Sequence, residues 1–436
     1  VFVRVLRGLW NLRKPAPQLP VLEAPTPAAI ADPETARRTG LLLARQHLTD
    51  IFTPARPLSG RSFRSQGGRG GSPFIGREAE RERILRTLIE DQAHVLIYGE
   101  RGLGKTSLAN FAVAQAHAAE VVRYVCSADS DFDAIMRGLF HGLPRVFGGP
   151  RPVGSGPRHD AVSLLPPHPL RPGDILGPLG SLRGFRLIFL IDEFDRVVSE
   201  GARTAIADLI KHCSDRGMPL SFMIIGASDS AEELLGRHPS IQRCVTRVAL
   251  PLLTDAEVEQ IVARGEKAGL NFPASARTCI AELARGVPYM AQLLSLRAGQ
   301  AALDDGRTTI RGSDLIAAIK AAAIEADPRT QILYDTITRF EGDAAMLGML
   351  RAAAVGTRDE FGRFGVSRDG SSLRVAGVRA DPAAWQRALD SGAIRAARGG
   401  GLDLYIFSEA MLPQLVLHRA VLAQQEAISS CGPCPA

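Results

Sequence analysis

Eight consecutive residues of this chain have the types and spacing of a phosphate cradle. Gly99-Glu100-Arg101-Gly102-Leu103-Gly104-Lys105-Thr106, followed by Ser107, fits the pattern G-x-x-x-x-G-K-[ST] at every fixed position. Its glycines let the backbone curl so that successive N–H groups face phosphate oxygens, at the positive end of the helix that follows. Lys105 then supplies a charge for the β- and γ-phosphates, and the Thr106 hydroxyl a ligand for magnesium. Only five lysines stand among the 52 basic residues. A lysine at this demanding position is therefore hard to put down to chance.

Two acids form the other half of the chemistry. The apolar run 187–191 ends in Asp192-Glu193. A buried strand ending this way delivers both carboxylates to the sheet edge where the phosphate loop opens. Asp192 can hold magnesium through water, and Glu193 is placed to polarise an attacking water. Asp195 reads as a charge at a helix N-terminus rather than as a second ligand.

These groups need a scaffold, and the pattern supplies one. Short apolar strands are expected at 94–99, 121–126, 186–191, 220–226 and 245–250. Helices are expected up to about 89 and at 105–118, 132–143 and 202–213. Strands alternating with helices imply an α/β fold whose parallel sheet is covered on both faces. The Pro/Gly-rich stretch 144–172 carries no clear period and reads as a surface insertion. From Thr254 the pattern turns helical: Thr254-Asp-Ala-Glu257 has the form of a capping box, and further helices are expected at 274–285, 288–303 and 313–326. After Asp327-Pro328 comes a third unit with two helices within 331–354, a strand at 372–378 and a helix at 382–391. A glycine-tipped hairpin at 393–398 and 402–407 and a helix at 409–423 complete it. Helices with such a hairpin suggest a winged helix. The expected organisation is a flexible basic arm (1–72) with one helix near 34–51, an α/β core (73–250), a helical lid (251–326), the winged-helix-like unit (327–424) and a tail (425–436).

Charge and cysteine content narrow the setting. The net charge is +6, while residues 1–72 alone hold eleven Arg or Lys against four Asp or Glu, which is +7. The remaining 364 residues therefore sum to −1, and the basicity belongs to the arm. Arg56, Arg61, Arg64 and Arg69, set among serines and glycines, could follow phosphates without reading bases. The six cysteines are too scattered for a disulfide framework. Cys431-Gly-Pro-Cys434 has a redox spacing, but lacks the strand before and the helix after that such chemistry needs. No apolar run nears the roughly 18 residues of a membrane span. The expected location is the cytoplasm.

With both motifs on the page, the chain resembles the AAA+ ATPases, in particular their origin-recognition and STAND-like branches, over about residues 73–326 and more loosely to 424. The resemblance implies a P-loop NTPase fold of the ASCE type, with ATP and Mg²⁺ as cofactors. Phe74-Ile75-Gly76-Arg77-Glu78 looks like the N-linker signature, which would put the Ile75 and Gly76 backbone against adenine. The family's polar sensor falls at Asp229, with Ser228 as the alternative. His238-Pro-Ser-Ile-Gln-Arg243 sits where the family carries its arginine finger, making Arg243 the candidate and Arg247 the lesser one. Gly286-Val287-Pro288-Tyr289 looks like the STAND GxP signature, with Pro288 at the nucleotide. Tyr289 replaces the arginine many relatives have there, which implies a slow, switch-like ATPase rather than a fast motor.

Three functions follow as expectations. The first is a nucleotide-dependent switch or assembly factor that associates with its own copies or with a partner protein. The second is a DNA-handling ATPase of the origin-recognition or transposition-regulator type, reaching DNA through the basic arm or the winged helix. That helix offers only Gln386 and Arg387, and the hairpin Arg395 and Arg398, with Asp381, Asp390 and Asp403 nearby. The third is a scaffold that holds ATP with little turnover, against which the complete Lys105, Thr106, Asp192 and Glu193 set argues.

Overall fold

The computed structural model describes residues 33–53, 75–116, 119–143, 161–181, 186–228, 230–236, 239–339, 344–369, 372–397 and 403–430. The chain forms two compact units, and one is inserted in the other. Ala55–Pro251 is the first unit; Val1–Pro54 joins Leu252–Ala436 in the second.

The second unit begins at helix α1 (Pro33–Phe52). It matches the helix expected near 34–51, and it is docked. Leu48 and Phe52 are fully buried. Leu48 packs against Gly299, where an added Cβ would stand 2.5 Å from its Cδ2. Arg45 pairs with Asp304, and Arg264 donates to the Ile51 carbonyl at 3.3 Å. The docked face is narrow: Leu48 and Phe52 are covered while Leu42 and Leu43 stay exposed. The four arginines at 56–69 lie outside the described residues.

In the inserted unit, α2 (Glu78–Leu85) runs through a π-helical turn at Arg86–Glu90 into β1 (His94–Gly99). Then come α3 (Lys105–Gln115), β2 (Ala119–Val125) and α4 (Phe132–Gly142), capped by the Asp131 carboxylate on the Ala134 N–H. A 3₁₀ turn at Ala161–Leu164 leads to α5 (Pro172–Ser181). The stretch up to 172 was expected to be surface insertion, and no element was expected at 173–181. Instead Leu165, Leu170, Ile175, Leu176 and Leu179 enter the core, and their burial outweighs the cost of Pro178 inside α5. Next follow β3 (Arg186–Asp192), a 3₁₀ turn at Phe194–Arg196, α6 (Glu200–Asp215), β4 (Leu220–Ala227), α7 (Ala231–Leu235), α8 (Pro239–Cys244) and β5 (Val245–Ala249). The strands form one parallel sheet in the order β2-β3-β4-β1-β5. Strands β1 and β3 are thus separated by β4, and the C-terminal ends of all three open on one edge. That edge is where ligands bind in open α/β sheets.

The second unit continues with α9 (Asp255–Ala263), whose expected capping box between Thr254 and Glu257 is complete. Helices α10 (Ala274–Ala284), α11 (Pro288–Asp304) and α12 (Gly312–Ile324) follow. Gly286 takes φ 77°, and a Cβ there would sit 2.6 Å from the Leu253 carbonyl oxygen, so the turn before α11 requires glycine. Helices α13 (Pro328–Thr338) and α14 (Ala344–Val355) precede β6 (Phe364–Asp369), β7 (Ser372–Val375) and β8 (Val378–Ala380). Then come α15 (Pro382–Asp390), β9 (Ile394–Ala396), β10 (Leu404–Phe407) and α16 (Leu412–Ser430). The expected hairpin is β9 with β10, but it belongs to a five-stranded antiparallel sheet ordered β8-β7-β6-β10-β9. Strand β6 was not anticipated, and the strand expected at 372–378 is split by a tight turn in which Ala376 and Gly377 both have positive φ.

Candidate nucleotide site

The loop between β1 and α3 is held in a conformation that only its glycines permit. Gly99 (φ 143°) has the Leu250 carbonyl oxygen 3.0 Å from where a Cβ would be, and Gly104 (φ 82°) is the left-handed N-cap of α3. Lys105 folds over the loop, donating to the carbonyls of Gly99 at 2.8 Å and Glu100 at 2.7 Å. Burial pulls its pKa down to about 8, against the opposing pull of Asp195 and Asp192. Leu103 is buried beneath the loop, and Ser107 faces solvent.

Thr106 opens α3 and turns its hydroxyl to Asp192 at the end of β3, 3.2 Å from Oδ1 and 3.1 Å from Oδ2. Asp192 is buried, and its Oδ1 also accepts the Glu193 backbone N–H at 2.9 Å. Glu193 itself has φ 54°, a left-handed conformation that is rare outside glycine. Its carboxylate pairs with Arg196 at 2.8 Å, both side chains being about half exposed. A cavity of about 240 Å³ is lined by Arg101, Gly102, Gly104, Lys105 and Thr106 on one side. Asp192, Glu193, Asp195 and Ile225, Gly226 and Ala227 of β4 line the rest.

Magnesium chemistry fits this donor set. A threonine hydroxyl and a carboxylate converge, both hard oxygen donors. Among the described residues no group of three or more His, Cys, Asp or Glu could cage a metal ion. Thr106 and Asp192 would therefore hold magnesium together with phosphate oxygens, as is usual for this ion. When bound it would neutralise charge on the phosphates.

Asp195 stands in the first turn of the 3₁₀ segment Phe194–Arg196, and its Oδ1 accepts the Ala227 N–H at 2.8 Å, tying the end of β4 to the turn after β3. The Ser228 hydroxyl is directed to the Glu233 carboxylate of α7 at 2.6 Å, with the Ser230 carbonyl 2.8 Å away. Asp229 lies outside the described residues. Arg243 is exposed on α8. Arg247 is paired with Glu232 at 2.6 Å. Pro288 is the first residue of α11, in the other unit. Ile75 is half-buried and Gly76 buried ahead of α2.

Two arginines were missed. Arg77 is buried with φ 61°, and its guanidinium donates to the Leu103 carbonyl of the phosphate loop and to the Pro251 carbonyl at 2.9 Å. Arg123 of β2 pairs with Asp192.

Residues 87–235 match the model of a family described as an AAA domain. They are an AAA domain. Among solved structures, the RuvB Holliday junction branch migration motor of Thermotoga maritima is 18% identical, with 77% of this chain and 93% of that chain covered at a TM-score of 0.41. The Orc2 protein of Aeropyrum pernix is 13% identical, with 86% and 98% covered at 0.45. Cdc6p from Pyrobaculum aerophilum is 15% identical, with 87% and 98% covered at 0.44. At such scores and identities these likenesses carry no argument about what this chain does. The AAA domain contains β1 to β4, hence the phosphate loop and both acids, and its parallel sheet is that of a P-loop ATPase. Among the described residues no helix is long and apolar enough to cross a membrane.

Proposed function

We propose that this chain binds ATP with magnesium between the phosphate loop and Asp192, and hydrolyses it slowly. Nucleotide state then governs its association with a second copy or a partner protein. The observation that carries the reading is the Thr106 hydroxyl lying within 3.2 Å of both Asp192 oxygens, beside the cavity Lys105 lines. In this role Lys105 leaves its loop carbonyls for phosphate oxygens, and Glu193 orients and polarises the attacking water. Slow turnover is supported by two features. Arg196 engages the Glu193 carboxylate, so the group that must polarise water is partly neutralised. Tyr289, 41% exposed, stands where an arginine would be expected in a fast motor. The division into core, lid and winged-helix-like unit belongs to the same proposal.

The test is a pair of variants. Lys105→Ala loses ATP binding by calorimetry, while Glu193→Gln binds ATP and turns it over at least about a hundredfold more slowly. Full turnover by Lys105→Ala would sink the assignment. Repeating the wild-type assay with duplex DNA separates this reading from a DNA-handling one, since marked stimulation by DNA would transfer the assignment to the latter.

A further inference from the structure

Arg123 sits in the middle of β2, next to the buried Val121 and Val122. Its side chain is only 12% exposed, and it forms an ion pair with Oδ2 of Asp192, whose side chain is 4% exposed. Nη1 donates to Asn110 Oδ1 of α3 at 3.3 Å, while the buried Nε has no hydrogen-bond partner among the described residues. Asp192 is thereby held on three sides: by Arg123, by the Thr106 hydroxyl and by the Glu193 N–H. Burying a guanidinium is costly unless it is paired, and here the pairing is with the acid that serves the magnesium site.

We propose that Arg123 is a built-in counter-cation of Asp192, fixing its carboxylate and taking up part of its charge, so that nucleotide phosphates bind with a reduced demand for magnesium. The proposal rests on the ATP-binding reading above. A fixed positive charge on this buried carboxylate repels a divalent cation and attracts phosphate oxygens. Arg123 thus acts through Asp192 as a positioning residue. Its removal should move two affinities in opposite directions, which loss of folding cannot imitate.

The experiment titrates a fluorescent ATP analogue into the full chain, in EDTA and at rising magnesium, for the wild type, Arg123→Gln and Arg123→Lys. In Arg123→Gln the magnesium needed for half-maximal effect falls about tenfold, while magnesium-free binding weakens by about the same factor. Arg123→Lys keeps the charge and stays within about threefold of wild type on both counts. If both affinities of Arg123→Gln fall together, or neither moves, Arg123 is a packing residue and the proposal is wrong. The wild type gives a reading independent of any variant's folding: binding in EDTA stays within about tenfold of that at saturating magnesium, and a loss beyond about a hundredfold overturns the proposal. A wild-type chain that binds no analogue at any magnesium concentration overturns the ATP reading itself.

Discussion

His94, the first residue of β1, is a histidine used as a neutral strut. Its Nδ1 accepts the Phe222 N–H at 2.9 Å, its Nε2 lies 3.0 Å from Ser214 Oγ, and its ring rests against Phe222. Burial pulls its pKa down to about 4. The unfolded chain keeps the ordinary value near 6.5, so between the two it binds a proton that the folded chain refuses. The stability held by neutral His94 is complete above pH 6.5 and lost as pH falls towards 4, by up to about 3 kcal/mol. His418, buried in α16 and also lowered to about 4, contributes with the same sign in the other unit. Thermal unfolding between pH 7 and 4 should show Tm falling, and His94→Asn should flatten the slope. An unchanged slope in that variant would show that the strut's protonation is not what destabilises the fold. At this scale the site divides by legibility. Lys105, Thr106, Asp192 and Glu193 can be read from sequence because the fixed spacing constrains the backbone that presents them. Arg77 and Arg123 cannot, being two arginines among many whose partners come from other strands and loops. A faint signal for Arg123 did exist: it is a charge set between Val121-Val122 and Tyr124-Val125 in a parallel strand, where apolar residues are the rule.

At the scale of elements, α1 makes the sharpest claim. Truncating Leu48 to Ala should cost the second unit about 2–5 kcal/mol, because a fully buried leucine leaves a cavity. Gly299→Ala should also destabilise, since its methyl would press on Leu48 Cδ2 at 2.5 Å and Leu270 Cδ1 at 2.9 Å. The double variant makes part of the room the methyl needs, so its loss should be smaller than the sum of the singles. Denaturant unfolding of the three variants reads this directly, and strict additivity would mean that α1 is not docked on α11. The elements themselves were largely legible. All five core strands were expected, because each is a compact apolar run bounded by turn residues. Helix α5 was hidden by Pro172, Gly173, Gly177, Pro178 and Gly180, and its helical state comes from tertiary burial of Ile175 and Leu179 rather than from propensity. Strand β6 was hidden by its short apolar content: Phe364 and Val366 are buried, while Gly365, Ser367 and Arg368 are exposed.

For the whole molecule, the open question is whether one copy completes another. Arg243 is exposed on α8, while its rival Arg247 is already paired with Glu232. A finger that acts only on a neighbour's transition state leaves nucleotide binding untouched. Arg243→Ala should thus bind ATP with normal affinity but lose turnover, and Lys105→Ala should lose both. Mixed one to one, they should recover about a quarter of wild-type turnover if two copies assort at random, because one of the two sites in each mixed pair is whole. A mixture as inactive as its components would show that no site is shared.

The insertion of one unit within the other also sets an order of manufacture. A ribosome finishes α1 at Phe52, but the helix it docks on, α11, ends at Asp304. At about 5–20 residues per second, some 250 residues of synthesis leave the apolar face of Leu48 and Phe52 uncovered for roughly 10–50 s. The whole AAA sheet is translated within that interval. A nascent chain long enough to expose Pro251 would therefore carry the whole parallel sheet and, ahead of it, a helix with its apolar face bare.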